Sequence, residues 1–149
     1  GYESRDLGEM KTCLVASHEY LQQCSELTSP LQLKNHRCLV HSHSAWQSWV
    51  LTNEKGQSRS YPIHSHLHSN DIYVLLEMAL RHQGITMLPK AMVLPELRTG
   101  RLVEVLPNYQ LQPFQLAIVY VSSNHTPQMV QTFIEFLLEF FAAHERVLG

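Results

Sequence analysis

The chain has 149 residues, of which 44% are hydrophobic and 16% are charged. A chain of this length and composition can bury a real core, which excludes disorder and predicts one soluble globular domain or two small lobes. Eleven Lys and Arg residues against thirteen Asp and Glu residues leave a net charge of −2, so the basic surface that nucleic-acid binding needs is missing. The apolar runs are too short or too interrupted by charge to cross a bilayer, and no membrane partner is expected.

The cysteine count and the start of the chain bear on its origin. Cys13, Cys24 and Cys38 are odd in number and form no CxxC pair, which disfavours a disulfide framework and a thiol metal cage. We therefore expect a reducing, cytoplasmic setting and no bound cofactor. Because the chain opens at Gly1 without a Met or a targeting segment, we expect that it was cut from a longer protein.

The first third of the chain predicts short strands and helices. Thr12–Ala16 is an unbroken apolar run, typical of a strand buried on both faces, and Ser17 offers an N-cap for a short helix. Pro30 opens a second helical turn. Residues 37–40 form another apolar strand, and the small, polar residues 41–44 predict a loop.

The middle of the chain predicts a hairpin and then a helix. Residues 46–51 and 58–68 flank a turn at residues 53–56 and predict two paired strands. Asn70 or Asp71 can then cap a helix with apolar residues at helical spacing. Gly84 is positioned to end this helix.

The last part alternates strand and helix. It predicts a strand at 85–88, a helix from Pro89 to Gly100, a strand at 102–106, a strand at 114–121 and a final helix starting at Thr126-Pro127. Such alternation predicts an α/β fold with a largely parallel sheet. The final helix carries an apolar arc wider than one core-facing stripe, so we expect it to be covered on more than one side and the chain to self-associate.

Six short motifs follow one another in an order and at separations typical of one family. They are Leu14-Val15-Ala16-Ser17-His18-Glu19-Tyr20-Leu21, Leu33-x-x-His36-x-Cys38-Leu39, Asn70-Asp71, Gly84-Ile85-x-x-Leu88-Pro89, Leu97-x-x-Gly100-x-Leu102-Val103-x-Val105-Leu106-Pro107 and Phe133-Ile134-x-Phe136-Leu137. With them, the chain resembles the effector-binding domain of bacterial LysR-type transcriptional regulators. It departs from the family pattern at His18, where a Pro is usual, and at His82, where the first Gly of a Gly-x-Gly turn is common.

The resemblance implies a Rossmann-like, periplasmic-binding-protein-like lobe with part of a second lobe. Residues 1–16 would be the segment crossing from the first lobe, residues 17–113 the second lobe, and residues 114–149 the returning strand and C-terminal helix of the first lobe. DNA would be a partner only through a helix-turn-helix domain upstream of Gly1, and the regulator would be a homo-oligomer. The expected function is to bind a small molecule between the lobes and alter the regulator's conformation.

The resemblance also points to candidate effector-binding residues. The loop that follows Cys38-Leu39-Val40 faces the cleft in the family, and here it contains Ser42, His43, Ser44 and Trp46. Asn70 and Asp71 lie at a helix N-terminus that favours anions, although both also suit a purely structural N-cap. Hydroxyl, imidazole and indole groups suit a small polar or anionic organic ligand. A solvated loop beside a core tryptophan is the structural alternative.

Three alternating histidines support a different hypothesis. If His64, His66 and His68 lie on one extended strand, their imidazoles share a face and could present themselves to zinc, copper or nickel, or titrate near neutral pH. The alternative function is therefore a stand-alone solute- or metal-binding module. No carboxylate or thiol is spaced with them to complete a metal site.

An enzyme is not expected from this sequence. Ser17 stands beside His18, but adjacent residues rarely place their side chains within hydrogen-bond reach, and the chain contains no Gly-x-Ser-x-Gly elbow and no phosphate-binding glycine loop. Cys13 and Cys38 lie in apolar strands and should be inert core residues, whereas Cys24 should be more exposed.

Overall fold

A computed structural model of the chain describes residues 1–42, 47–122 and 125–143. The described residues form two compact units, a larger unit of Thr12–Gln112 and a smaller unit made of Gly1–Lys11 with Pro113–Gly149. The elements of the larger unit are β2 Thr12–Ala16, α1 His18–Gln23, a 3₁₀ helix Pro30–Asn35, β3 Arg37–His41, β4 Ser48–Thr52, β5 Ser58–Pro62, β6 His64–Ser69, α2 Ile72–Leu80, β7 Ile85–Pro89, α3 Lys90–Thr99, β8 Val103–Val105 and β9 Gln110–Leu111. The smaller unit contains β1 Tyr2–Met10, β10 Phe114–Val121 and α4 Gln128–Ala143.

A five-stranded sheet in the order β6-β3-β7-β2-β8 forms the centre of the larger unit. β3 runs parallel to β6 and β7, whereas β2 runs antiparallel to both of its neighbours, β7 and β8. The prediction of a largely parallel sheet is therefore wrong, because two of the four pairings are antiparallel. Strand–helix alternation indicates that crossovers exist, but it does not show which strand is inserted between the two that a crossover joins, and here β2 lies between β7 and β8.

The core of the larger unit lies on both faces of this sheet. Leu14 and Ala16 of β2 belong to one buried cluster, and Cys13 and Val15 belong to another. Because side chains alternate across a strand, an apolar run without polar interruptions is what a strand covered on both sides requires. The prediction of a doubly buried strand at Thr12–Ala16 is confirmed.

The predicted hairpin is confirmed for its first part only. β4 and β5 pair antiparallel from Ser48 opposite Pro62 to Thr52 opposite Ser58, and Asn53 organises the turn. The second strand ends at Pro62, however, and β6 joins the five-stranded sheet beside β3. Polar residues alternate with less polar ones on both sides of Ile63, so the sequence pattern does not show that one strand ends at Pro62 and another begins at His64. β9 adds a third strand to the hairpin and has only two residues, too few for a recognisable pattern.

Helix α2 begins as predicted and ends differently. The Asp71 carboxylate accepts a hydrogen bond from the backbone N–H of Tyr73 at 2.8 Å, which makes Asp71 the N-cap. The helix ends at Leu80, and the residue in the left-handed region is His82, at φ 64°, rather than Gly84. Gly84 is needed for a different reason, because a Cβ there would overlap the carbonyl oxygen of Arg37.

The smaller unit consists of a two-stranded antiparallel sheet and one helix. β1 pairs with β10, with a bulge between Asp6 and Gly8. Ile134 of α4 is buried, whereas Met129, Phe133, Phe136 and Phe140 on the same helix are exposed. β1 was not predicted as a strand, because its mostly polar and exposed side chains carry no apolar alternation. No helix among the described residues combines the length and apolar character that a membrane span requires.

Candidate functional site

The carboxyl ends of three parallel strands lie at one edge of the five-stranded sheet. β3 and β6 end in register, with His41 opposite Ser69, and the backbone N–H of Ser42 donates to the Ser69 carbonyl at 2.9 Å. β7 runs in the same direction beside β3 and ends at Pro89, where α3 begins. Open α/β sheets bind ligands outside the carboxyl ends of their strands. We call this place the carboxyl edge of the larger unit.

Two of the predicted effector-binding residues start helix α2 at this edge. Asp71 uses one carboxylate oxygen to cap the helix, and its backbone N–H donates to the Ser69 hydroxyl at 3.1 Å. Asn70 and Asp71 are both exposed. The structural role of Asp71 as an N-cap is confirmed, whereas a ligand-binding role for either residue stays a prediction.

The structure places three of the six predicted effector-binding residues together. Ser42 is half-buried, and its backbone N–H is hydrogen-bonded to the carbonyl of Ser69, which directly precedes Asn70 and Asp71. These residues come from segments almost thirty positions apart, and the parallel pairing of β3 with β6 is what unites them. His43, Ser44 and Trp46 lie outside the described residues.

One residue at this edge was not singled out from the sequence. Lys90 opens α3 directly after β7 and is half-buried. The positive charge of Lys90 acts to lower the pKa of the Cys13 thiol on the neighbouring strand β2. Burial and the negative charge of Glu104 have larger effects and raise this pKa. The signal was present in the sequence, since Lys90 follows the Leu88-Pro89 end of a predicted strand.

The three alternating histidines lie along one exposed strand. His64, His66 and His68 are exposed on β6, at the edge of the sheet, and the His68 imidazole contacts the Ser65 hydroxyl at 2.8 Å. Among residues 1–42, 47–122 and 125–143, no three His, Cys, Asp or Glu side chains are grouped so that they could hold a metal ion. Alternate residues of a strand are separated by roughly 7 Å and their side chains project in parallel, so they do not converge on one ion. The geometry of the described residues therefore does not favour the alternative hypothesis of a metal site on these three histidines.

Comparison with known proteins identifies the family. The model of the LysR substrate binding domain matches residues 1–142. The chain belongs to this family. The HTH-type transcriptional activator TtdR of Escherichia coli is 33% identical over 141 residues, a match that covers 91% of this chain and 44% of TtdR. An uncharacterized HTH-type transcriptional regulator of Haemophilus influenzae is 31% identical over 125 residues, covering 83% of this chain and 43% of that protein.

Solved structures of LysR-type regulators confirm the fold. The full-length virulence activator AphB of Vibrio cholerae has a TM-score of 0.77 at 28% identity, covering 95% of this chain and 48% of that chain. The regulatory domain of CrgA of Neisseria meningitidis has a TM-score of 0.71 at 25% identity, covering 95% of this chain and 69% of that domain. The chain is thus a LysR substrate-binding domain with the predicted periplasmic-binding-protein-like α/β fold. It spans less than half the length of the curated relatives cited here.

The cysteines of this LysR substrate-binding domain behave as the sequence predicts. Burial raises the pKa of the Cys13 thiol to about 11 and that of the Cys38 thiol to about 12. Since the thiolate is the reactive form, both are inert near neutral pH. Cys24 is half-buried at the end of α1.

Proposed function

We propose that this LysR substrate-binding domain is the effector-sensing part of a DNA-binding transcriptional regulator. In this proposal it binds a small polar or anionic organic molecule and passes a conformational change to the rest of a cytoplasmic homo-oligomer. DNA is bound by a separate helix-turn-helix domain of the longer protein, and no substrate is turned over. The relatives named above are transcriptional regulators, which supports this assignment.

The observation that carries the proposal is the carboxyl edge of the larger unit. Parallel strands β3, β6 and β7 end there, helices α2 and α3 begin there, and Ser42 is joined to the start of the α2 segment. Helix N-termini turned towards one edge offer backbone N–H groups and positive dipole ends to a polar or negatively charged ligand. The same edge therefore combines the position and the chemistry that an effector site of this fold needs.

Individual roles follow from the chemistry of the side chains. The Ser42 hydroxyl and the Asn70 amide can each donate and accept a hydrogen bond, and Lys90 supplies a positive charge. Asp71 already caps α2 and carries a negative charge that would repel an anion. In this proposal its role is therefore to hold the start of α2 in place and not to contact an anionic ligand. We propose from the family resemblance that His43, Ser44 and Trp46 also contact the ligand.

A ligand screen with matched variants tests this proposal. We would screen small organic acids and their neutral analogues by thermal shift, and measure hits by titration calorimetry. Ser42→Ala and Asn70→Ala should each raise the Kd of a hit about tenfold, which is the loss of one hydrogen bond to a charged group. Ser60→Ala, on the exposed face of β5, should leave the Kd unchanged. Equal losses in all three variants would contradict the proposed site.

A further inference from the structure

A relay of three polar side chains lies outside the carboxyl edge. The Ser17 hydroxyl is 2.8 Å from Nδ1 of His82, and Nε2 of His82 is 2.9 Å from a carboxylate oxygen of Glu19. Ser17 and Glu19 come from the start of α1, whereas His82 follows α2, sixty-five positions away in the chain. His18 is the histidine next to Ser17 in the sequence, but the histidine that hydrogen-bonds to the Ser17 hydroxyl is His82.

The proton positions in this relay follow from the partners. An ionised carboxylate only accepts hydrogen bonds, so in the neutral imidazole Nε2 carries the proton and donates it to Glu19. Nδ1 of His82 then has a free lone pair, and the Ser17 hydroxyl donates to it. Ser17 also accepts a hydrogen bond from the backbone N–H of Tyr20 at 3.1 Å. A serine whose hydroxyl proton faces an oriented imidazole base is the arrangement that activates a serine nucleophile.

The relay borders a small recess in the larger unit. The recess has a volume of about 310 Å³ and is lined by Ser17, His18, Glu19, Leu80, His82 and Arg101 together with Gly100. Ser17 is only 2% exposed, so a reagent must be small enough to enter the recess to reach its hydroxyl. Both departures from the family pattern, His18 and His82, line this recess. Arg101 contributes a positively charged side chain to the lining of the recess.

We propose that Ser17 is an acylation site, modified by small activated acyl donors with His82 as the base. The Ser17 oxygen attacks the carbonyl carbon of the donor and forms a new ester bond, while the bond from that carbon to the leaving group breaks. His82 takes the hydroxyl proton at Nδ1 and passes it to the leaving group or to solvent. The step requires no oxidant or reductant, and its only co-reactant is an activated acyl ester, thioester or acyl phosphate. The outcome is a modified domain, which goes beyond effector binding.

Acylation would change the local structure as well as the mass. An ester oxygen has no proton to donate to His82 and is a weaker acceptor for the Tyr20 N–H, so both links between Ser17 and its neighbours weaken. His82 holds a left-handed backbone conformation that is uncommon for a residue with a side chain, and its two hydrogen bonds help to maintain it. The modification therefore loosens the start of α1 and the turn after α2 together.

The test uses p-nitrophenyl acetate as the acyl donor and peptide mapping by mass spectrometry as the readout. Ser29 is an internal control, because it also caps a helix and is more exposed than Ser17. Its hydroxyl accepts a hydrogen bond from the Leu31 N–H, and no imidazole in the described part of the chain bonds to it. We expect Ser17 to gain one acetyl group about 100-fold faster than Ser29, the usual contribution of a positioned general base. Equal rates at the two serines would overturn the proposal.

Two variants separate nucleophile from base. Ser17→Ala should abolish the acetylated peptide, and circular dichroism will show whether the domain remains folded. His82→Asn keeps a residue that tolerates the left-handed region but removes the base, so Ser17 should remain present and react about 100-fold more slowly. An unchanged Ser17 rate in His82→Asn would refute the role of His82. Because no effector is involved, this result is independent of the effector-binding test.

Discussion

At the residue scale, one buried hydroxyl organises the start of β3. The Tyr20 hydroxyl accepts the backbone N–H of Arg37 at 3.0 Å and contacts Nδ1 of His36 at 2.9 Å. His36 Nε2 donates to the Glu26 carbonyl, so Nδ1 is the acceptor of the Tyr20 proton. Tyr20 is 1% exposed and His36 is 2% exposed, and burial raises the pKa of Tyr20 well above its usual value. The network is structural, and a substitution there tests folding rather than function.

Tyr20→Phe should lower the free energy of unfolding by about 2 kcal/mol, because it leaves a part-buried backbone N–H and a buried imidazole nitrogen without their partner. Urea denaturation followed by circular dichroism measures the loss. Tyr73→Phe is the matched control, since Tyr73 is 70% exposed and its hydroxyl can bond to water. A comparable loss in both variants would contradict the role assigned to the Tyr20 hydroxyl.

The buried thiols predict a pH dependence of stability. The folded-state pKa values of Cys13 and Cys38 are raised to about 11 and about 12, above the usual value of 9.0. A raised folded pKa means that stability is fully present below the unfolded pKa and is lost as the pH rises through the folded one. The urea midpoint should therefore fall between pH ~9 and pH ~12, and Cys13→Ala should reduce the slope of that fall.

A thiol-reactivity assay checks the same assignment independently. In the folded protein at pH ~8, Ellman's reagent should modify the half-buried Cys24 and leave Cys13 and Cys38 unmodified until denaturant is added. Rapid modification of all three thiols in the folded state would show that Cys13 and Cys38 are not held in the core.

At the element scale, the turn between α2 and β7 shows how a local signal can be assigned to the wrong cause. Gly84 was predicted as the stop of α2, and a stop is indeed needed there, but the helix ends at Leu80 and His82 takes the left-handed conformation. Gly84 is required because β3 passes so close that only a hydrogen fits on its α-carbon. The sequence shows that glycine is present, and only the neighbouring strand shows why.

Gly84→Ala should cost about 3 kcal/mol, because the new methyl group would overlap the Arg37 carbonyl and force the two strands apart. Gly100→Ala is the comparison, since Gly100 also has a positive φ but open space around the missing Cβ. It should cost only about 1 kcal/mol, the penalty for placing a side chain in the left-handed region. Equal costs in thermal denaturation would contradict the steric explanation.

The elements that could be predicted share a property. α3 with its Gly100 cap, the buried strand β2 and the strand β10 each carry their signal within their own residues, as apolar periodicity or a capping residue. β1 and β9 carry no such signal, because they become strands only through a partner strand. Of the site, Ser42 and Asn70 were proposed through family resemblance, and Lys90 could have been proposed from its place directly after the predicted strand that ends at Leu88-Pro89.

At the scale of the whole molecule, the two units differ in how well they cover their apolar surface. Both buried clusters lie in the larger unit, whereas the smaller unit buries Ile134 and leaves large apolar side chains of α4 exposed, among them Met129, Phe133, Phe136 and Phe140. Their spacing of four, three and four residues makes one continuous stripe along the helix. Self-association of the isolated chain therefore stays a prediction of this surface.

Replacing Phe133 and Phe136 together with Gln should reduce self-association without lowering the melting temperature, because each is 58% exposed in the chain itself. Light scattering coupled to size-exclusion chromatography measures the first effect and calorimetry the second. Ile134→Gln is the contrast, since Ile134 is 5% exposed and its replacement should destabilise the smaller unit. A wild-type chain that stays monomeric at every concentration would contradict the prediction.

The sequence by itself determined the properties whose signal lies in residues close together along the chain. These are the α/β class, the doubly buried strand, the helix caps at Ser17 and Asp71, and the motifs that identify a LysR substrate-binding domain. Tertiary structure alone decided the antiparallel insertion of β2, the departure of β6 from the hairpin and the meeting of Ser17 with His82. Caps and periodicity act between neighbours along the chain, whereas strand order and side-chain encounters depend on residues that folding brings together from distant positions.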